Sequence, residues 1–274
     1  MTEKSKKIDL KEAIKALVHS SVESFAKGFE ARHQGEVDNP EGTINMKIHN
    51  VFIEALGKDI QYYAALVRSL DSSLGNMLEA LAINIAKLNF EVNKNVQGPL
   101  SAEQTRIIAE LLEQYKRHEI KPSVEDYKIL RNKIHRNAKS KRHDSDYYLI
   151  DKKTGNHYLI ELKIGGDLDN KKARSEKEAI LEQYAILANT LNKNEKIKIF
   201  FATAYNRFGE NKPWNQQRVK QFFANDELLI GKDFWNFICG LDDGYKIVLS
   251  AYRESAILIK KSLESIKRSY LKDE

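Results

Sequence analysis

Apolar positions recur at helical spacing through the first part of this 274-residue chain and change to strand-like runs near position 146. Leu10, Ile14, Leu17, Val18 and Phe25 form one stripe and predict an amphipathic helix over 9–33. Asn39-Pro40 and Gly42 mark a loop around 35–43. Helical patterning resumes at about 44–68. Asp71-Ser72-Ser73 then offers the N-cap of a separate helix to about Phe90, with Leu74, Met77, Leu78, Leu81, Ile85 and Leu88 as its stripe. Gly98-Pro99 ends that region. Ser101-Ala102-Glu103-Gln104 fits a capping box for a helix to about His118, and Pro122-Ser123 begins a further helical segment.

Residues 146–151 and 157–164 read as strands joined by a polar turn. A long helix is predicted over 171–192 and a more buried third strand over 197–204. Asn211 to Phe223 holds Pro213-Trp214 and a short polar helix. Leu228-Leu229-Ile230 gives a fourth strand, 231–239 a short helix and 245–270 a long terminal one. This order predicts an α/β fold, a mixed central sheet flanked by helices with a helical N-terminal portion. With no internal repeat and no low-complexity linker, residues 1–274 read as a single domain. Its helical part covers about 1–140, its sheet core about 141–240 and its C-terminal helix 245–270.

Composition mainly excludes. The one cysteine, Cys239, rules out a disulfide framework and a cysteine-based zinc site, and fits a reducing cytoplasm. Met1 to Lys7 is polar and lacks the apolar core of a signal peptide. No apolar run is long enough to span a membrane. The seven histidines form no metal-binding pair, and phosphate-loop and serine-elbow motifs are absent, which argues against an ATPase or a serine hydrolase. A net charge of +6 permits an anionic partner. Its distribution says more: Lys128, Arg131, Lys133, Arg136, Lys139, Lys141 and Arg142 run without an acid between them. That run suits a solvated face or a phosphate-contacting surface, and its place just before Asp146 favours the second.

The chemistry centres on Asp146, Glu161 and Lys163. Side chains alternate along a strand, so Glu161 and Lys163 share one face and Leu162 the other. Asp146 opens the preceding strand. Two carboxylates are oxygen ligands for a hard divalent cation, and a lysine beside them can orient a water or stabilise a pentacoordinate phosphorus. A surface ion pair is the plainer reading of the same pattern. Asp144 is a rival to Asp146, expected in the preceding loop, whereas Asp151 looks like turn chemistry.

Glu79 reads best as a solvated helix position, with a role beside metal-bound water as the alternative. Lys171, Lys172, Arg174 and Lys177 open the helix after the second strand, where cations oppose the helix dipole and a phosphate would relieve them. Gln183 and Tyr184 are expected to be partly buried. Segment 204–218 carries Arg207, Lys212, Asn215, Gln216 and Arg218, residue types that read base edges. As a group it is the leading candidate for groove contact, and a surface loop anchored by Trp214 is the alternative.

Asp146 followed, after 14 intervening residues, by Glu161-Leu162-Lys163 resembles the PD-(D/E)XK nuclease motif, with Ser145 in place of its proline. The blocks Arg68 to Asn76, Lys171 to Glu178, Phe201 to Asn206 and Phe234-Trp235 together resemble the TdeIII-type group of type II restriction endonucleases over roughly 50–240. The resemblance implies a restriction-endonuclease-like fold and Mg²⁺-dependent cleavage of double-stranded DNA at a GGNCC-type palindrome, with Mn²⁺ as a substitute ion. It implies Asp146 and Glu161 as metal ligands, Lys163 as the catalytic lysine, a prokaryotic cytoplasm and a cognate methyltransferase. A palindrome is most simply matched by a two-fold homodimer, for which 1–35 and 245–274, including Ile257-Leu258-Ile259, are candidate contacts. Two other readings stay open: a structure-selective or repair nuclease, and an inert DNA-binding protein whose acidic pair is structural.

Overall fold

The computed structural model describes residues 3–132 and 138–271, so Lys133 and Arg136 of the basic run lie outside the described residues. The first stripe folds as helix α1 (Glu3–Gly35), which buries Ile14, Val18, Val22, Ala26 and Phe29 on one side. A single helix is not formed over 44–68. A 3-10 turn (Asn45–His49) and the four-residue helix α2 (Val51–Glu54) take its place. Asn50 caps α2 by accepting from the amides of Phe52 and Ile53, and Gly57, at φ +97°, turns the chain before the next helix.

Helix α3 (Lys58–Asn89) then runs unbroken through Asp71-Ser72-Ser73, the expected start of a separate helix. Buried Tyr62, Leu66, Met77, Leu81 and Ile85 fall on one stripe across that tripeptide. Continuous packing outweighs a capping preference worth about 1 kcal/mol. Helix α8 (Gly244–Tyr270) ends the described chain.

The chain divides into two compact units, Met1–Asn84 with Lys246–Glu274, and Ile85–Tyr245. In the first, Phe29, Ile44, Tyr62, Leu66 and Ile266 form one buried cluster.

The second unit is built on a five-stranded sheet in the order β1-β2-β3-β4-β5. Its strands are β1 (Phe90–Leu100), β2 (Lys139–Asp151), β3 (His157–Leu162), β4 (Ile197–Thr203) and β5 (Leu228–Ile230). The first three pair antiparallel; β3, β4 and β5 are parallel. Helices α4 (Ala102–Lys116) and α5 (Asn170–Thr190) share a core with one sheet face, where Leu112, Ile180, Leu181 and Tyr184 are buried with Leu159, Ile199 and Phe201. Short α6 (Gln217–Lys220) adds Val219 to that core. On the other face, α7 (Lys232–Cys239) sets Phe234 against Tyr147, and Phe237 against Tyr158 and Phe200.

The capping box at Ser101 and Gln104 forms as expected. The stretch from Pro122 is a set of turns and a 3-10 turn (Lys128–Asn132) instead of a regular helix. Strand β2 begins at Lys139, so Lys139, Lys141, Arg142 and Asp144 are strand residues and Asp144 does not lie in a loop. Strand β1 was not expected at all. Its Gly98-Pro99 pair reads as a break, yet β1 is an edge strand, where proline is tolerated. A Cβ on Gly98 would stand 2.8 Å from the Cγ2 methyls of Ile186 and Thr190 on α5, so glycine is what lets the helix lie against the strand.

Lys177, grouped by sequence with the cations that open α5 as a phosphate-binding cluster, is fully buried. Its ammonium lies 2.7 Å from both carboxylate oxygens of Glu227, itself 1% exposed, with the rings of Tyr127 and Phe223 against it. A charge can be buried there because its counter-charge is buried with it.

Gly98→Ala tests the strand–helix approach. The extra methyl is expected to lower stability by about 1–3 kcal/mol, as overpacking does, read as a drop in the urea midpoint at unchanged slope. An unchanged midpoint would show that α5 is not held this close.

Candidate active site

Strands β2 and β3 pair from Ile150 and His157 to Tyr147 and Ile160, and Asp146 and Glu161 are the next residue on each strand. There the strands part. Strand β3 continues beside β4, with Glu161 level with Phe201 and the Lys163 amide donating to Ala202 O at 3.0 Å. Strand β2 continues along β1 to Lys139. The register between β1 and β2 shifts here: Asn93 pairs with Tyr148 and Asn95 with Asp144. Ser145, Asp146 and Tyr147 thus stand opposite Lys94 alone, an irregularity of the bulge kind that re-aims side chains. Asp146 bridges the fork, its Oδ2 accepting from the Leu162 amide at 3.2 Å.

Glu161 is 9% exposed. The Lys163 ammonium lies 2.5 Å from Glu161 Oε1 and 3.2 Å from Glu176 Oε1, which reaches in from α5. Burial, and then the charge of Asp146, push the Glu161 carboxyl up to about 8, against the pull of Lys163. Burial opposes the charge on Lys163, but Glu161, Glu176 and Asp146 outweigh it and hold the ammonium above the ordinary lysine range.

Among the described residues no group of three or more His, Cys, Asp or Glu is placed to hold a metal. Magnesium asks for less, since it takes one or two carboxylates and completes its shell with water and phosphate oxygens. Asp146 and Glu161 are hard oxygen donors, and their mutual repulsion is what a divalent cation between them would relieve. The donor set therefore fits such an ion.

The other predicted residues are scattered. Glu79 lies on α3 in the first compact unit, outside the unit that holds this cluster. Asp144 is exposed, 3.9 Å from Arg142, and Asp151 makes the expected turn by accepting from the amides of Lys153 and Thr154. Lys139 is exposed, and Lys141 is held 2.6 Å from buried Glu182, which also lies 2.8 Å from His143 Nε2.

Lys171 and Lys172 are exposed, but the N-terminus of α5 is already capped by the Asp169 carboxylate, which accepts from the Lys172 amide. Arg174 donates to Glu113 at 3.0 Å, tying α5 to α4. Gln183 and Tyr184 are fully buried, beyond the partial burial expected. Arg207 and Gln216 both bind Asp167 Oδ1, at 2.6 and 3.1 Å, while Lys212, Asn215 and Arg218 are exposed.

Sequence reasoning missed Glu176 as a partner of Lys163, because that pairing exists only once α5 packs on the sheet. It also missed Gly165-Gly166, which a glycine pair two residues past the lysine signals. Gly166 has φ +64°, and a Cβ on it would meet Thr203 at 2.6 Å and Trp214 at 3.3 Å. A cavity of about 480 Å³ opens by the carboxyl ends of β4 and β5, lined by Tyr205, Asn206, Lys212 and Trp214 among others.

Residues 7–256 match the family model described as type II restriction endonuclease, HinfI. No curated protein and no solved structure matches the chain.

The electrostatics predict an unusual titration. The folded value for Glu161 lies above the ordinary 4.5, so its contribution favours the folded state while protonated and is lost as pH rises through about 8. Carboxyl ¹³C NMR of the metal-free protein should show one titration near 8 that vanishes in Glu161→Gln and moves down in Asp146→Asn. A Glu161 titrating near 4.5 in the parent protein would refute the described burial.

Proposed function

The chain belongs to the HinfI family of type II restriction endonucleases, site-specific deoxyribonucleases acting on double-stranded DNA, and from that premise we propose that Asp146, Glu161 and Lys163 form the hydrolytic centre. The single observation behind this is the meeting of the three side chains at the fork between β2 and β3. The mixed five-stranded sheet flanked by helices is a restriction-endonuclease-like architecture.

In this reading Asp146 and Glu161 hold Mg²⁺, with Mn²⁺ as a substitute, and the ion when bound supplies an activated water and offsets charge on the scissile phosphate. The chain's own groups do the rest. The Leu162 amide fixes the Asp146 carboxylate, and Glu176 steadies Lys163. Lys163, held between Glu161 and Glu176, is placed to orient the attacking water or to stabilise charge on the phosphate. The reading assigns no step to Glu79.

Lys139, Lys141, Arg142, Lys171, Lys172 and Arg174 are proposed to contact phosphates, Lys141 and Arg174 by exchanging their glutamate partners for DNA. Arg207, Lys212, Asn215, Gln216 and Arg218 are proposed to read the groove. The target is a short palindrome, and the TdeIII-type resemblance makes GGNCC the first sequence to try. A two-fold dimer, a cognate methyltransferase and a cytoplasmic location complete the proposal. No helix among the described residues is long and apolar enough to cross a membrane.

Unmethylated phage DNA incubated with Mg²⁺ should give discrete fragments ending in one palindrome, and none with EDTA. Smearing would favour a repair or structure-selective nuclease, and intact DNA the binding-protein reading. Lys163→Ala is expected to slow cleavage by about 10³-fold or more while leaving affinity for the site largely intact; retained cleavage would move the centre elsewhere. Arg218→Ala should weaken cognate binding more than binding to random DNA. An equal loss on both would make it a phosphate contact.

A further inference from the structure

Exposed apolar side chains are concentrated in one stretch of the first compact unit. Of the fourteen large hydrophobics exposed among the described residues, eight lie between positions 46 and 67. Met46, Ile48, Val51, Phe52 and Leu56 come from the 3-10 turn, α2 and the residues just after it, and Phe52 is 83% exposed. Ile60, Tyr63 and Val67 follow on α3, at the i, i+3, i+7 spacing of a single helix face. Exposed apolar residues scattered singly need no explanation, but this concentration within one short stretch is out of keeping with the rest of the described surface.

We infer that residues 46–67 form a two-fold contact with a second copy of this chain. The area is adequate: eight large side chains, 42% to 83% exposed, amount to the order of the ~800 Å² per partner that a standard interface buries. The charge is also right. Lys47 and Lys58 are matched by Glu54 and Asp59, so the stretch is neutral in a chain of net charge +6. A two-fold contact sets a patch against itself, and only a patch carrying both signs, or neither, meets its own image without repulsion. The basic groups proposed to face DNA lie outside it.

The alternative contact regions, 1–35 and 245–274, offer much less. Among the described residues Ile8 is the one large hydrophobic exposed in the first and Ile257 in the second, while Ile259 is buried. The inference takes from the proposed function only the two-fold character of a palindromic site.

Sedimentation velocity of the full chain, without DNA or Mg²⁺, tests it. The expected mass at micromolar concentration is twice 31.6 kDa. Phe52→Glu combined with Leu56→Glu should weaken self-association by about 100-fold or more, as loss of a central apolar anchor does. Both positions face solvent in the monomer, so the helical circular dichroism should not change. Ile257→Glu should remain dimeric. A monomeric parent protein would overturn the inference, and so would a double variant that dimerises as the parent does. A dimer that cleaves no DNA would count against the nuclease centre and leave this surface standing.

Discussion

The parting of β3 from β2, one step beyond Tyr147 and Ile160, is the constraint on which the site rests. Were the two strands to stay paired, their backbones would satisfy each other and Asp146 would be one more cross-strand residue. Strand β2 can leave because β1 pairs with it on both sides of the irregularity, and β3 can leave because β4 pairs with it throughout. The open wedge leaves the Leu162 amide without a strand partner at that point, and the Asp146 carboxylate takes it. A β2–β1 irregularity at Ser145 to Tyr147 gives the side chain room to do so. A backbone requirement thus places the first carboxylate, and strand register places the second.

Helix α5 brings charged partners to that wedge and to the strands beside it. It brings Glu176 to Lys163, Glu182 to Lys141 and His143, and Lys177 to Glu227. Seven consecutive residues of one helix, 176 to 182, therefore carry three separate charge pairings, each to a different part of the unit. Gly98 sets how near that helix comes to the sheet. Electrostatics at the fork and packing at the edge strand are coupled through a single rigid element.

Much of this could be read in the sequence where local chemistry and tertiary packing agree. The capping box at Ser101, the strands from His157, Ile197 and Leu228, and α5 itself carry strong local signals. The closeness of Asp146, Glu161 and Lys163 was legible because cross-strand pairing follows from spacing and alternation. Strand β1 was hidden because Asn93, Lys94, Asn95, Gly98 and Pro99 are poor strand formers that an edge accepts. The N-terminal half of β2 was hidden because its charged residues look like a loop. The Asp71-Ser72-Ser73 cap was misleading, since a stripe of buried residues carried α3 straight through it. Glu176 and the burial of Lys177 depend on where α5 lands, which no local window reports.

The Lys177–Glu227 pair has a bearing on how this chain can change over generations. Its ammonium and carboxylate have no solvent to fall back on, and each is tolerable only because the other is present. Replacing Glu227 alone leaves the Lys177 ammonium between Tyr127 and Phe223 without its counter-charge, and replacing Lys177 alone leaves the Glu227 carboxylate without its cation. Two apolar replacements made together remove both charges, at the cost of the acceptor for the Ala224 amide. The two positions, fifty residues apart, are therefore tied as a single heritable unit, open to joint replacement and closed to stepwise drift.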